Sequence, residues 1–186
     1  MENISAEKLR ELIFTARGRW RVLGLRGKGL SKVPEAVTDL TEVDELDLSD
    51  NYLKELPTSI NKLKNLKSLR LDKNQFRELP DSICELSNLI WLGVSGNQLS
   101  VLPANIKHLK NLWSLDLSHN QLKTLPDEIG ELKKLDWLVV AGNPLTLEGM
   151  RKFLKLQDKM KFRTDVNLIG KDMKCSLFVF YFMSCE

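Results

Sequence analysis

The sequence predicts an α/β fold built as a repeat solenoid, in which stacked rows each contribute one short strand and helices cap both ends. Three observations carry this. Rows that begin at Trp20, Val43, Leu66, Leu89, Leu112 and Leu135 follow one another at 23 residues with no insertion. Each complete row is apolar at positions 1, 4, 6, 11, 14, 18 and 21. An apolar residue followed by proline recurs as Val33-Pro34, Leu56-Pro57, Leu79-Pro80, Leu102-Pro103 and Leu125-Pro126.

In chain order, Ser5 and Gly18 bracket a stretch in which Leu9, Leu12, Ile13 and Ala16 share a helical face, so residues 6–17 are expected to form a capping helix within an N-terminal unit of residues 1–19. Within a row, positions 4 and 6 alternate as a strand does, which turns positions 3, 5 and 7 to the opposite face. The apolar-proline pair ends that part of the row, because proline has no amide donor and biases the residue before it toward extended backbone. Asparagine at position 9, as Asn51, Asn74, Asn97, Asn120 and Asn143, suits a sharp exit from the strand and is expected to stack into a ladder. Lys28 replaces it in the first row, where a looser end is expected. One row cannot bury enough apolar surface to fold alone, so neighbours must stack and both ends need caps.

The rows occupy residues 20–145, the sixth being incomplete. After Asn143-Pro144, Thr146 caps an expected helix over 147–160 with Leu147, Met150, Phe153, Leu154 and Met160 on its apolar face. The stretch Val166-Asn-Leu-Ile-Gly-Lys-Asp-Met173 repeats the pattern of Leu23-Gly-Leu-Arg-Gly-Lys-Gly-Leu30 and predicts a partial strand over 165–170. The tail Cys175–Glu186 is dense in Phe and Tyr, and packing as part of the C-terminal cap of residues 146–186 is expected of it, the alternatives being a partner-binding peptide or the end of a shortened or alternatively spliced product.

The row pattern L-x-x-L-x-L-x-x-N-x-L-x-x-L-P-x-x-I-x-x-L-x-x-L resembles the leucine-rich repeat family, and within it the intracellular Ras-group and Roco-type subclass, in which Leu-Pro and Ile follow the Asn. The resemblance implies a horseshoe solenoid with a parallel concave sheet and 3₁₀ or extended segments on the convex side. It also implies a protein-binding scaffold or adaptor in signalling by small GTPases or kinases. Alternatives are the sensor part of a larger enzyme or effector, such as a Roco-like GTPase or a bacterial ligase, and a pathogen or immune recognition protein.

Composition narrows the function classes. A net charge of +3, from 28 basic and 25 acidic residues, gives no excess to drive binding to nucleic acid or an anionic membrane. The convex lysines Lys62, Lys64, Lys107, Lys110, Lys133 and Lys134 read as solubility. Three cysteines without a C-x-x-C pair argue against a zinc site or disulfide framework, and a cytoplasmic monomer without metal or cofactor is expected. The longest apolar run, Leu177 to Met183, is far short of the roughly 20 residues that span a bilayer. Gly24-Leu-Arg-Gly-Lys-Gly-Leu-Ser31 lacks the spacing of a phosphate loop. Cys84 and His108 fall on outer-surface row positions 19 and 20 with nothing to orient the imidazole, so no enzyme is expected.

What remains lies on the concave face. Row position 3 reads Val22, Glu45, Ser68, Trp91, Ser114 and Trp137, and position 5 reads Gly24, Asp47, Arg70, Gly93, Asp116 and Val139. Trp91 and Trp137 are two strands apart, roughly 9–10 Å, with Ser114 and Asp116 between them and Gly93 leaving a notch beside Trp91. Trp20 at position 1 is expected in the core, and Trp113 at position 2 stands at the strand edge. Toward the first rows, Asp44, Glu45, Asp47 and Asp72 face Lys67, Arg70 and Lys73. The expected partner is a protein that places a Lys or Arg between the rings, next to Asp116.

Overall fold

The computed structural model describes residues 4–16 and 19–160. Its strands are β1 (Ile13–Ala16), β2 (Trp20–Gly24), β3 (Glu45–Asp47), β4 (Ser68–Arg70), β5 (Trp91–Gly93), β6 (Ser114–Asp116) and β7 (Trp137–Val139), in one sheet whose spatial order is the chain order. From β2 onward the pairing is parallel and advances by one row, so that Glu45, Ser68, Trp91, Ser114 and Trp137 are successive partners. Each crossover carries a 3₁₀ turn (Glu35–Asp39, Thr58–Lys62, Asp81–Glu85, Ala104–His108, Asp127–Glu131), entered through the repeated proline. The core is a set of columns: Leu46, Leu69, Leu92 and Leu115 at position 4 are fully buried, as are Ile60 and Ile106 at position 18. Among the described residues no helix is long and apolar enough to cross a membrane.

The turn after each strand is held by the position 9 asparagine. Asn97 accepts from the Phe76 amide at 3.0 Å and donates to the carbonyls of Leu71 and Val94 at 2.9 and 3.0 Å, so one side chain ties its own row to the row before. Asn51, Asn74, Asn120 and Asn143 repeat the pattern. The residue before it must take a left-handed φ, from 52° to 69° at Gly27, Asp50, Lys73, Gly96, His119 and Gly142. Lys28 in the first row is exposed. A second ladder that the sequence analysis did not anticipate runs along the outside: the amides of Asn65, Asn88 and Asn111 donate to the carbonyls of Thr41, Lys64 and Ser87 in the row before.

The N-terminal cap differs from expectation. A helix, α1, covers only Ala6–Arg10, capped by Ser5, and Ile13–Ala16 form β1, antiparallel to β2, instead of continuing the helix to residue 17. The run Ile-Phe-Thr favours strand, and an antiparallel strand gives the edge of β2 the hydrogen bonds that a helix cannot. Phe14 pairs with Val22 in register and its ring reaches over Gly24. Leu9 is fully buried, whereas Leu12 is exposed.

At the other end α2 runs Leu147–Met160, and Thr146 Oγ1 accepts from the Gly149 amide at 3.1 Å. Phe153 and Leu156 are its buried contacts, while Leu147 and Leu154 are exposed, so the inward face is rotated from the expected one. Gly149 lies against row five, where a Cβ would collide with the Lys123 carbonyl. The predicted strand over 165–170 and the tail from Cys175 lie outside the described residues.

Asp44, expected among the surface charges, is 6% exposed and is an internal clip. It accepts from the Arg21 amide at 3.0 Å and the Lys67 ammonium at 2.8 Å, joining rows one and three. The Lys67 ammonium also stands 5.6 Å from the ring of Trp20, which is half-buried and not a core residue as expected. Burial opposes the charge on Asp44, but the Arg21 amide, Lys67 and the Arg21 guanidinium outweigh it and hold the carboxyl below its ordinary value.

Two outcomes follow for stability. Asn97→Ala strands the Phe76 amide and the Leu71 carbonyl, and urea unfolding is expected to show a loss of about 2–5 kcal/mol, against less than about 1 for Asn65→Ala on the solvated ladder. Equal losses would contradict the buried ladder's role. Because the Asp44 pKa is lower folded than unfolded, its stabilisation is present above the unfolded value and lost as pH falls through the folded one. The stability gap between wild type and Asp44→Asn is therefore expected to be widest near neutral pH and to close below about pH 4, and a gap independent of pH would refute it.

Candidate functional site

Row register delivers the concave residues to one surface, but side-chain packing among rows redistributes them. Trp91 at position 3 does not stand upright. Its ring lies along its own strand over Gly93, so close that a Cβ there would collide with the ring edge and come within 2.9 Å of an Asp72 oxygen. The notch expected beside Trp91 is thus filled by Trp91 itself, and Gly93 is the only residue type that permits this.

That ring already holds a cation. The Arg70 guanidinium sits 4.9 Å from the Trp91 ring centroid. Its Nε is 3.2 Å from Glu45 Oε1, an ion pair without hydrogen-bond geometry. Glu45, Ser68 and Ser114 are buried rather than solvent-facing, and Asp47 accepts from its neighbour's amide, Ser49, at 2.9 Å. These four support the sheet surface more than they present it.

Acids gather on the other side of Gly93. Asp72 accepts from the Ser95 amide at 2.9 Å, and Asp116 accepts from the Ser118 amide at 2.9 Å and the Ser118 hydroxyl at 2.7 Å. The Ser95 and Ser118 hydroxyls are linked at 2.8 Å. Burial raises the Asp72 carboxyl above its ordinary value, with Asp116 and Asp47 adding to the effect, and the Ser95 amide and Arg70 offset only part of it. The result is a partly desolvated acidic patch short of counter-charge.

The second aromatic element is Trp137, half-buried on β7 beside Ser114, followed by half-buried Val139. Trp113 at position 2 is exposed, at 47%, and adjoins Ile90 at 37%. Ile90 was missed by the sequence analysis, although its signal is plain in retrospect: position 2 is Arg21, Asp44, Lys67 and Asp136 in other rows. Ser95 and Ser118 were also missed, because small hydroxyls carry no pattern until a neighbouring carboxylate is placed.

The remaining candidates resolve simply. Cys84, expected on the outer surface, is buried, and burial together with Asp81 pushes its thiol up to about 12, which leaves it protonated. His108 is exposed. The convex Lys62, Lys64, Lys107 and Lys110 pair with Asp39, Glu85 and Glu131 of adjoining rows. Among the described residues no group of His, Cys, Asp and Glu is arranged to hold a metal ion.

The chain is similar to proteins with this architecture. A structure of a leucine-rich repeat protein from Leptospira interrogans is 32% identical with a TM-score of 0.59, over 73% of this chain and 40% of that one. The leucine-rich repeat ectodomain of the Arabidopsis thaliana receptor kinase SOBIR1 is 29% identical with a TM-score of 0.59, over 72% of this chain and 80% of that one. The ectodomain of the Arabidopsis receptor kinase GASSHO1/SCHENGEN3, solved in complex with Casparian strip integrity factor 2, is 34% identical with a TM-score of 0.58, over 64% and 15%. The comparison with curated protein sequences gives no significant match. The family model described as leucine rich repeat matches residues 41–99 and 99–145, more than half of the chain. This chain therefore belongs to the leucine-rich repeat family.

Proposed function

We propose that the chain is a protein-recognition module whose concave face takes a basic side chain of its partner against Trp137, Trp91 and the acids of rows three to five. The leucine-rich repeat fold is typical of protein–protein interaction modules and is generally non-enzymatic. One observation carries the finer reading: the chain's own Arg70 is stacked on Trp91, next to Asp72, whose charge burial and the neighbouring Asp116 oppose. That surface stabilises a guanidinium through ring attraction and carboxylate field together. Trp137, Trp113 and Ile90 extend it with apolar area, the composition of an interface centre.

Within this reading the 23-residue period and the Leu-Pro…Ile spacing favour the Ras-group and Roco-type subclass, and a monomeric cytoplasmic scaffold or adaptor in GTPase or kinase signalling. A second reading, the recognition part of a larger enzyme, is favoured by the similarity to receptor-kinase ectodomains. A transcript that continues into a catalytic domain would select it.

The test is a pull-down followed by calorimetry of each captured protein. Trp91→Ala with Trp137→Ala is expected to weaken the authentic partner at least about 30-fold, the loss of roughly 2 kcal/mol or more associated with interface hot spots. Unchanged affinity in the double variant would eliminate the site. Affinity is also expected to fall with acidification. A bound cation requires ionised Asp72, whose raised pKa means that protonation begins above the ordinary 3.8. Asp72→Asn should flatten that dependence.

A further inference from the structure

A buried donor on the concave face makes no hydrogen bond. Arg70 Nε has no acceptor among the described residues, although Glu45 Oε1 lies only 3.2 Å away. The guanidinium is held 4.9 Å from the Trp91 ring centroid, and in that pose its Nε–H does not aim at the carboxylate. Leaving a buried donor unpaired opposes the pose, so the attraction of the ring and of the Asp72 carboxylate must hold it.

Arg70 stands between two seats. Its register partner on β5 is Gly93, which Trp91 and Asp72 adjoin. Its register partner on β3 is Asp47, and Glu45, two residues earlier, shares that face. The β3 seat is already formed, because Glu45 is buried in place and Asp47 is fixed by the Ser49 amide at 2.9 Å. A guanidinium that turns to β3 gives up the ring but gains a bond from Nε to Glu45, the donor left unpaired in the other pose. Ring attraction and a charge-assisted hydrogen bond are contributions of similar size, so the two poses are close in free energy. Two cations cannot share the Trp91 seat, since like charges at contact distance repel.

We propose that Arg70 is the resident occupant of the seat that the partner's basic side chain takes, and that docking moves Arg70 from Trp91 onto Glu45 and Asp47. The inference rests on the function proposed above and adds to it the residue that sets the threshold for binding. An incoming cation competes with Arg70, so its apparent affinity is reduced by the fraction of time that the seat stands free. A lone basic side chain gains little against that competition. A partner that also covers Trp137, Trp113 and Ile90 brings apolar contacts that offset it. Arg70 thereby separates a shaped partner from any passing basic surface, and it does so without blocking the site, because the second seat receives it.

NMR titration of the full chain tests this with N-acetyl-argininamide as the probe and the neutral N-acetyl-citrullinamide as its control. In the wild type, saturation with the probe is expected to move the Arg70 Nε–H signal away from its ring-shifted position and to slow its exchange with water, as the bond to Glu45 forms. Arg70→Met keeps an apolar stem without the charge and is expected to bind the probe about fivefold or more tightly than the wild type. Arg70→Gln should change in the same direction, which guards against repacking by the methionine. Glu45→Gln removes the second seat and is expected to weaken binding about threefold in the wild type and much less in Arg70→Met. An Arg70 signal that stays in place at saturation, or an affinity that is equal or lower in both Arg70 variants, overturns the exchange; if Trp91→Ala then abolishes binding, the site itself stands. Binding that survives Trp91→Ala, equal binding of the control, or no binding to any of these proteins overturns the site and the exchange together.

Discussion

The structure depends on one repeated interaction, the buried side-chain amide of the position 9 asparagine. A chain that must reverse direction every 23 residues leaves backbone donors and acceptors inside the molecule at each corner, where an unmet amide or carbonyl costs about 1–3 kcal/mol. Asparagine offers an acceptor and two donors on one short stem. In Asn51, Asn74, Asn97 and Asn120 all are used, with the carbonyl of the preceding row always among the partners. Stacking is thus written into the hydrogen bonds as well as the apolar columns, and each row is incomplete without its neighbour.

Once that scaffold is set, charge is placed where rows meet rather than spread evenly. Asp44 joins rows one and three from within, Glu45 restrains Arg70, and the convex lysines pair across rows. Those exposed pairs add little stability. On the concave side Asp72 is left as the imbalance, because Arg70, which favours its charge, is shared with Glu45 and Trp91. A surface with an unmet electrostatic demand beside solvent-facing aromatic area is where a partner gains most by docking.

Both ends show how a solenoid manages the edges of its sheet. At β2 an antiparallel strand takes up the open edge, and Phe14 closes over the first concave residues. At row six the helix α2 covers the convex side through Phe153 and Leu156, while the strand side of the row stays only partly covered by described residues. The two ends solve different halves of the same problem, hydrogen bonding at one and apolar burial at the other.

By itself the sequence determined the period, and the period determined every property that depends on row position alone. These are the leucine columns, the asparagine ladder, the proline-led turns and the identity of the concave residues. They are legible because each follows from spacing along one chain. Tertiary structure decided what depends on two rows at once. Leu12, Ile13 and Ala16 satisfy a helical face on paper, but the open edge of β2 drew Ile13–Ala16 into a strand. Trp91 lies flat because the residue two places on is glycine and Arg70 of the row before stacks on it. Cys84 is buried by neighbouring turns, and the Asp72 carboxyl is raised by burial and by Asp116 of another row. Rotamers and proton affinities answer to the local three-dimensional field, and no single row of the sequence contains that field.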